Sequence, residues 1–197
     1  MRKLKILEHI TLDGVIQNSA DDDNFPYADW GAPYRTPVGR EATLAAYGER
    51  FDVLLGRRTY DGWSTYWPKA PSTPMADRLN AAKKYVFTHR PESLAWGPFE
   101  GVGPDIIESV RRIKAQDGPQ IILSGSSTLT STLLEHGLAD ELLLGRQSGP
   151  VGHGQAPVCG RNPATLIRAR HHSNDAVWYR LQHVQGRRAF EDRIARR

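Results

Sequence analysis

The sequence predicts an α/β domain built on a largely parallel sheet with helices on both faces. Three observations carry that prediction. Short apolar runs rich in β-branched residues, at 52–56, 84–88 and 121–123, alternate with segments of helical period, the pattern of strand–helix units. A chain of 197 residues fits one domain with a sizeable core. Finally, each strand runs into small or basic residues at its carboxyl end, where ligands bind in sheets of this kind.

Residues 5–10 read as the first strand, followed by Thr11-Leu12-Asp13-Gly14-Val15-Ile16. Asp-Gly before two β-branched residues marks a strand edge bent by a turn. Residues 17–40 form a long loop rich in Asp, Pro and Gly, with Phe25, Tyr27, Trp30 and Tyr34 spaced through it. Loops of this length are lids, binding loops or disordered segments. The aromatics fit an ordered lid, and they also fit anchors of a surface loop. Residues 41–51 read as a helix with Leu44, Tyr47 and Phe51 on one side.

The buried strand at 52–56 ends at Gly56, and Arg57, Arg58, Thr59 and Tyr60 open the next helix. Two arginines at a helix N-terminus oppose the macrodipole. They make sense around a bound anion, since Arg suits bidentate phosphate contact. The alternative is that they face solvent or pair with acidic neighbours. Trp63, Tyr66 and Trp67 continue this helix to Pro68, and residues 75–82 form a short helix after a linker. A third strand, 84–88, ends in Thr88-His89-Arg90. Residues 98–103 turn the chain, and Ile106, Val110 and Ile113 mark a helix that stops at Asp117-Gly118-Pro119.

The stretch 120–144 organises the rest. Ile121, Ile122 and Leu123 form a buried strand that runs into Ser124-Gly125-Ser126-Ser127-Thr128. Leu129, Leu133, Leu134 and Leu138 then recur at helical spacing, Gly137 ends the helix, and residues 140–144 return to strand. A strand, a Gly/Ser turn and a helix N-terminus make an anion site, because unpaired N–H groups and the positive helix end converge there. The same residues also fit a tight turn with Ser or Thr as N-cap.

These motifs together, Leu12-Asp13-Gly14-Val15-Ile16, Leu54 to Tyr60, Tyr85-Val86-Phe87-Thr88, Ser124-Gly125-Ser126 and Asp140-Glu141-Leu142, resemble the dihydrofolate-reductase-like superfamily. The nearer resemblance is to the reductase domain of the bifunctional riboflavin-biosynthesis deaminase–reductase and its stand-alone bacterial relatives. It spans roughly residues 3–144. The resemblance implies a mixed, mostly parallel sheet with flanking helices and a C-terminal antiparallel hairpin. It also implies a dimeric, NADPH-dependent reductase of a small pyrimidine- or pterin-like substrate, and the single Cys159 is compatible with the cytoplasm. The reaction implied is like 5-amino-6-(5-phosphoribosylamino)uracil reduction or dihydrofolate reduction.

By the same resemblance Gly56, Arg57, Arg58 and Thr59 would hold cofactor phosphates, with Thr88 and Arg90 near the adenosine 2′-phosphate. Ser124, Gly125, Ser126, Ser127 and Thr128 would meet the pyrophosphate. Leu12, Asp13 and Ile16 would line the nicotinamide side; as the carboxylate near the expected ring position, Asp13 is the candidate general acid or substrate-orienting group, and it equally fits a cap of the turn. Trp30 and Trp63 would sit at the substrate mouth. Relatives often carry Gly-Gly where this chain has Gly125-Ser126.

Composition bounds the alternatives. No apolar run approaches a membrane span, and the single Cys159 excludes an internal disulfide framework. No metal-ligand motif is present. Residues 145–197 hold ten Arg, no Lys and three acidic residues, a net of +7. With +4 overall, residues 1–144 carry −3, so the folded part offers no basic face to nucleic acid. The competing reading is an inactive nucleotide-binding relic whose basic tail meets nucleic acid.

After residue 144 the hydrophobic period is lost, and the C-terminal hairpin reads as missing or degraded. Domain 1–144 is therefore followed by a basic, irregular tail, 145–197. This tail reads as a frameshifted C-terminus. Dropping the first base of codon 145 allows Ala-Val-Asn-Pro-Val-Leu-Leu-Gly-Thr-Gly-Lys-Arg-Leu-Phe, the segment the superfamily expects at this place.

Overall fold

The computed structural model describes residues 1–11, 14–16, 30–32, 35–146 and 177–182, the last six and Arg146 by their backbone. A seven-stranded sheet is ordered β4-β3-β2-β5-β1-β6-β7. Its strands are β1 (Leu4–Ile10), β2 (Phe51–Gly56), β3 (Lys84–Phe87), β4 (Phe99–Val102), β5 (Gln120–Ser124), β6 (Glu141–Arg146) and β7 (Val177–Gln182). The first six are mutually parallel, and β7 pairs antiparallel with β6, Glu141 opposite Gln182. Among the described residues five α-helices flank it: α1 (Pro37–Tyr47), α2 (Arg57–Tyr66), α3 (Pro74–Ala81), α4 (Ile106–Ala115) and α5 (Ser127–Glu135). The mixed, mostly parallel α/β sheet expected from the sequence is the fold observed.

The central strands are apolar on both faces because helices cover both, and two cores result. On one face Leu4, Ile6, Ile121 and Leu123 pack against Val110 and Ile113 of α4 and Leu129 and Leu133 of α5. On the other, Leu7, Val53, Leu55 and Ile122 meet Tyr47 of α1, Tyr60 of α2 and Leu79 of α3.

The amino ends of the strands are tied by buried polar groups. Arg2 donates to the Pro119 carbonyl at 2.7 Å, to the Tyr85 hydroxyl at 3.1 Å and to Asp52. Lys114 donates to the Leu138 carbonyl at 2.8 Å and to Asp140 at 2.6 Å.

Several boundaries differ from the sequence reading. The first helix begins at Pro37, four residues earlier than expected, because the Thr36 hydroxyl caps it by accepting the Gly39 N–H. Phe51 accordingly starts β2. Residues 98–103, read as a turn, contain β4, a four-residue edge strand parallel to β3. Its Gly-containing sequence is too short to show a period. The sheet also takes in Gly145 and Arg146, and residues 177–182 form a strand inside the segment read as irregular. There Val177, Tyr179 and Leu181 alternate with Trp178, Arg180 and Gln182, a period-two pattern masked by its basic surroundings.

Candidate active site at the strand carboxyl ends

β2 and β5 are neighbours in the sheet, so the turns that leave them are neighbours too. β2 passes directly into α2 at Gly56, and β5 passes through Gly125 and Ser126 into α5. Gly125 (φ 74°) and Ser126 (φ 71°) are both left-handed, a conformation costly for serine. A Cβ on Gly56 would lie 2.6 Å from Ser126 Oγ, and one on Gly125 would lie 3.4 Å from Thr59 Oγ1 and Cγ2. The two helix starts are therefore in direct contact.

Their N-termini are also the two without a side-chain cap among α1 to α5. Thr36, Thr73 and Asp105 cap α1, α3 and α4 with side-chain oxygens, whereas Gly56 and Ser126 contribute no such bond to α2 and α5. Two adjacent uncapped N-termini concentrate positive potential and N–H donors on one spot.

Arg57 extends this spot toward β3. Its Nε lies 2.9 Å from both Asp61 carboxylate oxygens, and its Nη1 donates to Thr88 Oγ1 at 3.3 Å, to the Arg90 carbonyl at 3.3 Å and to Ser93 Oγ at 2.5 Å. Thr88 Oγ1 also accepts the Arg90 N–H at 3.0 Å. Arg57 thus fastens α2 to the loop after β3. Beside it opens a cleft of about 270 Å³ lined by Phe87, Thr88, His89, Arg90, Val102 and Ile106 among others. His89 and Arg90 are exposed at its rim.

The structure thereby joins Gly125, Ser126, Gly56, Thr59, Arg57, Thr88 and Arg90 into one continuous surface. Ser124, half-buried, ends β5 beneath it, and Ser127 and Thr128 stand in the first turn of α5. Arg58 is exposed beside Arg57. Trp63 does not join this surface; it packs edge-on against Trp67, 6.0 Å ring to ring, on the second core. Ile16 and Trp30 are half-buried. Ile16 follows a turn fixed by Thr11, whose hydroxyl accepts the Val15 N–H at 2.8 Å. Leu12 and Asp13, the remaining aromatics of the long loop and Cys159 lie outside the described residues.

Two groups escaped the sequence reading. His89 lines the cleft, and its position between Thr88 and Arg90 was the available signal. Glu8 is buried in β1 with its carboxylate accepting from Thr130 Oγ1 at 2.9 Å. Burial raises its pKa to about 7, against the lowering effect of hydrogen bonds from Thr130 and the Gly125 N–H. Its alternation within an apolar strand looks like a solvent-facing residue, so nothing in the sequence separates it from one.

No family model matches the chain. The uncharacterized protein YyaP of Bacillus subtilis is 30% identical over 151 residues, which cover 74% of this chain and 74% of YyaP. A riboflavin biosynthesis protein from Shewanella sp. PV-4 superposes with a TM-score of 0.66 at 14% identity, over 93% of this chain and 99% of its own. The chain belongs to the family of YyaP, and its fold is dihydrofolate-reductase-like. The same fold is found in the diaminohydroxyphosphoribosylaminopyrimidine deaminase/5-amino-6-(5-phosphoribosylamino)uracil reductase of Thermotoga maritima, with a TM-score of 0.64 at 14% identity over 92% of this chain. The match spans 56% of that bifunctional protein's length. Another is the dihydrofolate reductase of Enterococcus faecalis complexed with NADP(H), with a TM-score of 0.54 at 12% identity over 90% of this chain and 92% of that one. Among the described residues, no helix is long and apolar enough to cross a membrane, and no cluster of His, Cys, Asp and Glu could hold a metal ion.

Proposed function

We propose that the protein is an NADPH-dependent reductase of a small pyrimidine- or pterin-like heterocycle. One observation carries this reading: the uncapped N-termini of α2 and α5 meet at Gly56 and Ser126, at the carboxyl ends of adjacent strands. The missing Cβ atoms at Gly56 and Gly125 let Ser126 and Thr59 close in and bring the two turns together, so that one diphosphate could reach both. The fit extends to the cleft beside Arg57, where Thr88, His89 and Arg90 offer hydroxyl and cationic partners for a 2′-phosphate.

When bound, NADPH supplies the hydride. The chain's own part is to hold the phosphates on the α2 and α5 turns and to orient the ring at the end of β1. Ile16 and Leu12 would line the ring and Trp30 and Trp63 the substrate mouth. Asp13 is the group proposed to deliver or orient the proton. The same reading makes the protein a bacterial, cytoplasmic homodimer. It also assigns the catalytic domain to residues 1–144 and takes the sequence from about Gly145 onward as a frameshifted C-terminus.

The test is NADPH binding by the full chain, followed by NADPH oxidation against a panel of pyrimidines, pterins and folates. Stoichiometric binding with turnover of one such class is expected. NADPH affinity unchanged by Arg57→Ala combined with Arg58→Ala in a folded sample would overturn the assignment of these residues. Salt-dependent RNA binding without NADPH binding would favour the nucleotide-binding relic instead.

A further inference from the structure

The Gly125 turn has an acid behind it. Glu8, 4% exposed, lies in the central strand β1 on the face covered by α5, the side of Leu4 and Ile6. The Thr130 hydroxyl and the Gly125 N–H both donate to its carboxylate. One amide of the strand-end turn therefore points inward, to an anion of the protein itself, while Ser126 faces Gly56 across the α2 start.

Among the described residues, the hydrogen-bond partners of Glu8 are uncharged. From α5 it faces Thr130, and its register partner on β6 is Leu144. Tyr47 of α1, buried and hydrogen-bonded to Ser124, lies on the opposite face of the sheet, and burial first and the Glu8 charge after it weaken its acidity. His9 follows it in β1. In such a setting a carboxylate is costly to keep ionised, and a second anion close by makes it costlier.

We propose that Glu8 is a positioning residue whose proton is coupled to nucleotide binding: its carboxylate charge and a nucleotide phosphate repel each other across the Gly125–Ser126 turn, so the nucleotide binds with uptake of one proton onto Glu8. Protonated, Glu8 still accepts the Gly125 N–H through its carbonyl oxygen, and Thr130 can accept the new O–H. The turn keeps its shape and loses the negative charge behind it. Ionised, Glu8 sets that charge one hydrogen bond from the turn in a low-dielectric interior, where repulsion of a phosphate is strong. Titration near pH 7 makes the coupling relevant at ordinary pH. The inference rests on the reading of these turns as a nucleotide phosphate site.

Isothermal titration calorimetry of the full chain tests it, with NADPH in buffers of differing ionisation enthalpy from about pH 6 to about pH 9. Proton uptake is expected, and the dissociation constant should rise by up to about tenfold per pH unit above neutrality. Because a phosphate monoester itself titrates near pH ~6, NADH is the second probe and should show the same coupling. Glu8→Gln keeps an accepting oxygen without the charge, and should bind with neither proton uptake nor pH dependence in this range. If that variant fails to fold, Thr130→Val decides: without the hydroxyl that favours the carboxylate, the pH midpoint of affinity should move upward. An unmoved midpoint, absence of uptake in the native chain, or uptake persisting in Glu8→Gln overturns the inference and leaves the nucleotide site standing. Failure of NADPH and NADH to bind at any pH overturns both.

Discussion

Ser126 Oγ stands 2.6 Å from the place a Cβ on Gly56 would occupy, and Ser126 holds a left-handed backbone at φ 71° to do so. The serine fills the space between two helix starts that a second glycine would leave open. Gly56→Ala must therefore displace Ser126, even though φ −74° at Gly56 suits alanine. A loss of about 1–3 kcal/mol is expected from overpacking. Ser126→Gly should relieve both the clash and the left-handed strain, gaining up to about 1 kcal/mol alone. In the double variant the two effects should be strongly non-additive, with stability close to that of Ser126→Gly. Urea unfolding of the four proteins measures this, and additive values would show that the two turns do not touch in solution.

Arg57 is engaged on all sides by the protein before any ligand arrives. Its partners come from Asp61 on its own helix and from Thr88, Arg90 and Ser93 beyond β3. Arg57→Ala should release the loop after β3 and weaken NADPH at least tenfold, with little change in stability, since the Asp61 pair is exposed and such pairs contribute little. Arg57→Lys should not restore binding, because one ammonium cannot span the carboxylate and the three loop oxygens together. Arg90→Ala should weaken NADPH while sparing NADH. Fluorescence titration with both nucleotides separates these outcomes, and equal loss for the two in Arg90→Ala would exclude a 2′-phosphate contact.

Glu8 should also shape the pH dependence of folding. Its folded pKa, about 7, lies above the ordinary value of 4.5, so between these pH values the folded state binds more protons than the unfolded one. The stabilisation is complete below about pH 4.5 and is lost as pH rises through about 7. The shift corresponds to roughly 3 kcal/mol across that window. Glu8→Gln should flatten this part of the profile and be relatively more stable at about pH 8. Denaturant midpoints across the window check it, and an identical slope in the variant would mean that Glu8 is not the group titrating.

The parts of the fold that the sequence discloses are those where local pattern and tertiary role agree. Ile121-Ile122-Leu123 and Val53-Leu54-Leu55 are apolar throughout because both sheet faces are covered, and such runs are visible without a structure. The contact of Gly125 with Thr59, and of Gly56 with Ser126, depends on β2 and β5 being neighbours, although sixty-odd residues separate them. Sequence position could mark each turn, but only sheet order joins them. β4 was invisible because its pairing partner β3, and not its own composition, makes it a strand. Glu8 was missed for a similar reason: a glutamate in an alternating strand reads as solvent-facing unless the helix that buries it is known.

The abrupt change of character at residue 145 yields the final prediction. Every codon from Gly145 to Cys159, read one base late, admits a small set of residues, and the set includes Ala-Val-Asn-Pro-Val-Leu-Leu-Gly-Thr-Gly-Lys-Arg-Leu-Phe. The same frame carried through codons 173–184 admits Ala-Thr-Thr-Pro-Ser-Gly-Ile-Val-Phe-Asn-Thr-Tyr, strand residues flanking a Pro-Ser-Gly turn. The codons of Val177–Gln182, which form β7 against β6, fall within that second segment. Two separated segments agreeing in one frame, and a tail with ten Arg and no Lys, both fit out-of-frame reading of GC-rich DNA. A chain carrying the shifted frame from codon 145 should unfold at a higher temperature and bind NADPH more tightly than the chain as it stands. It should also aggregate less, because apolar strand residues would then complete the sheet beside β6. Thermal unfolding and NADPH titration of the two chains make the comparison. The nucleotide sequence is the sharper test: an early stop in that frame after codon 144, or a frame that encodes no such strands, ends the idea.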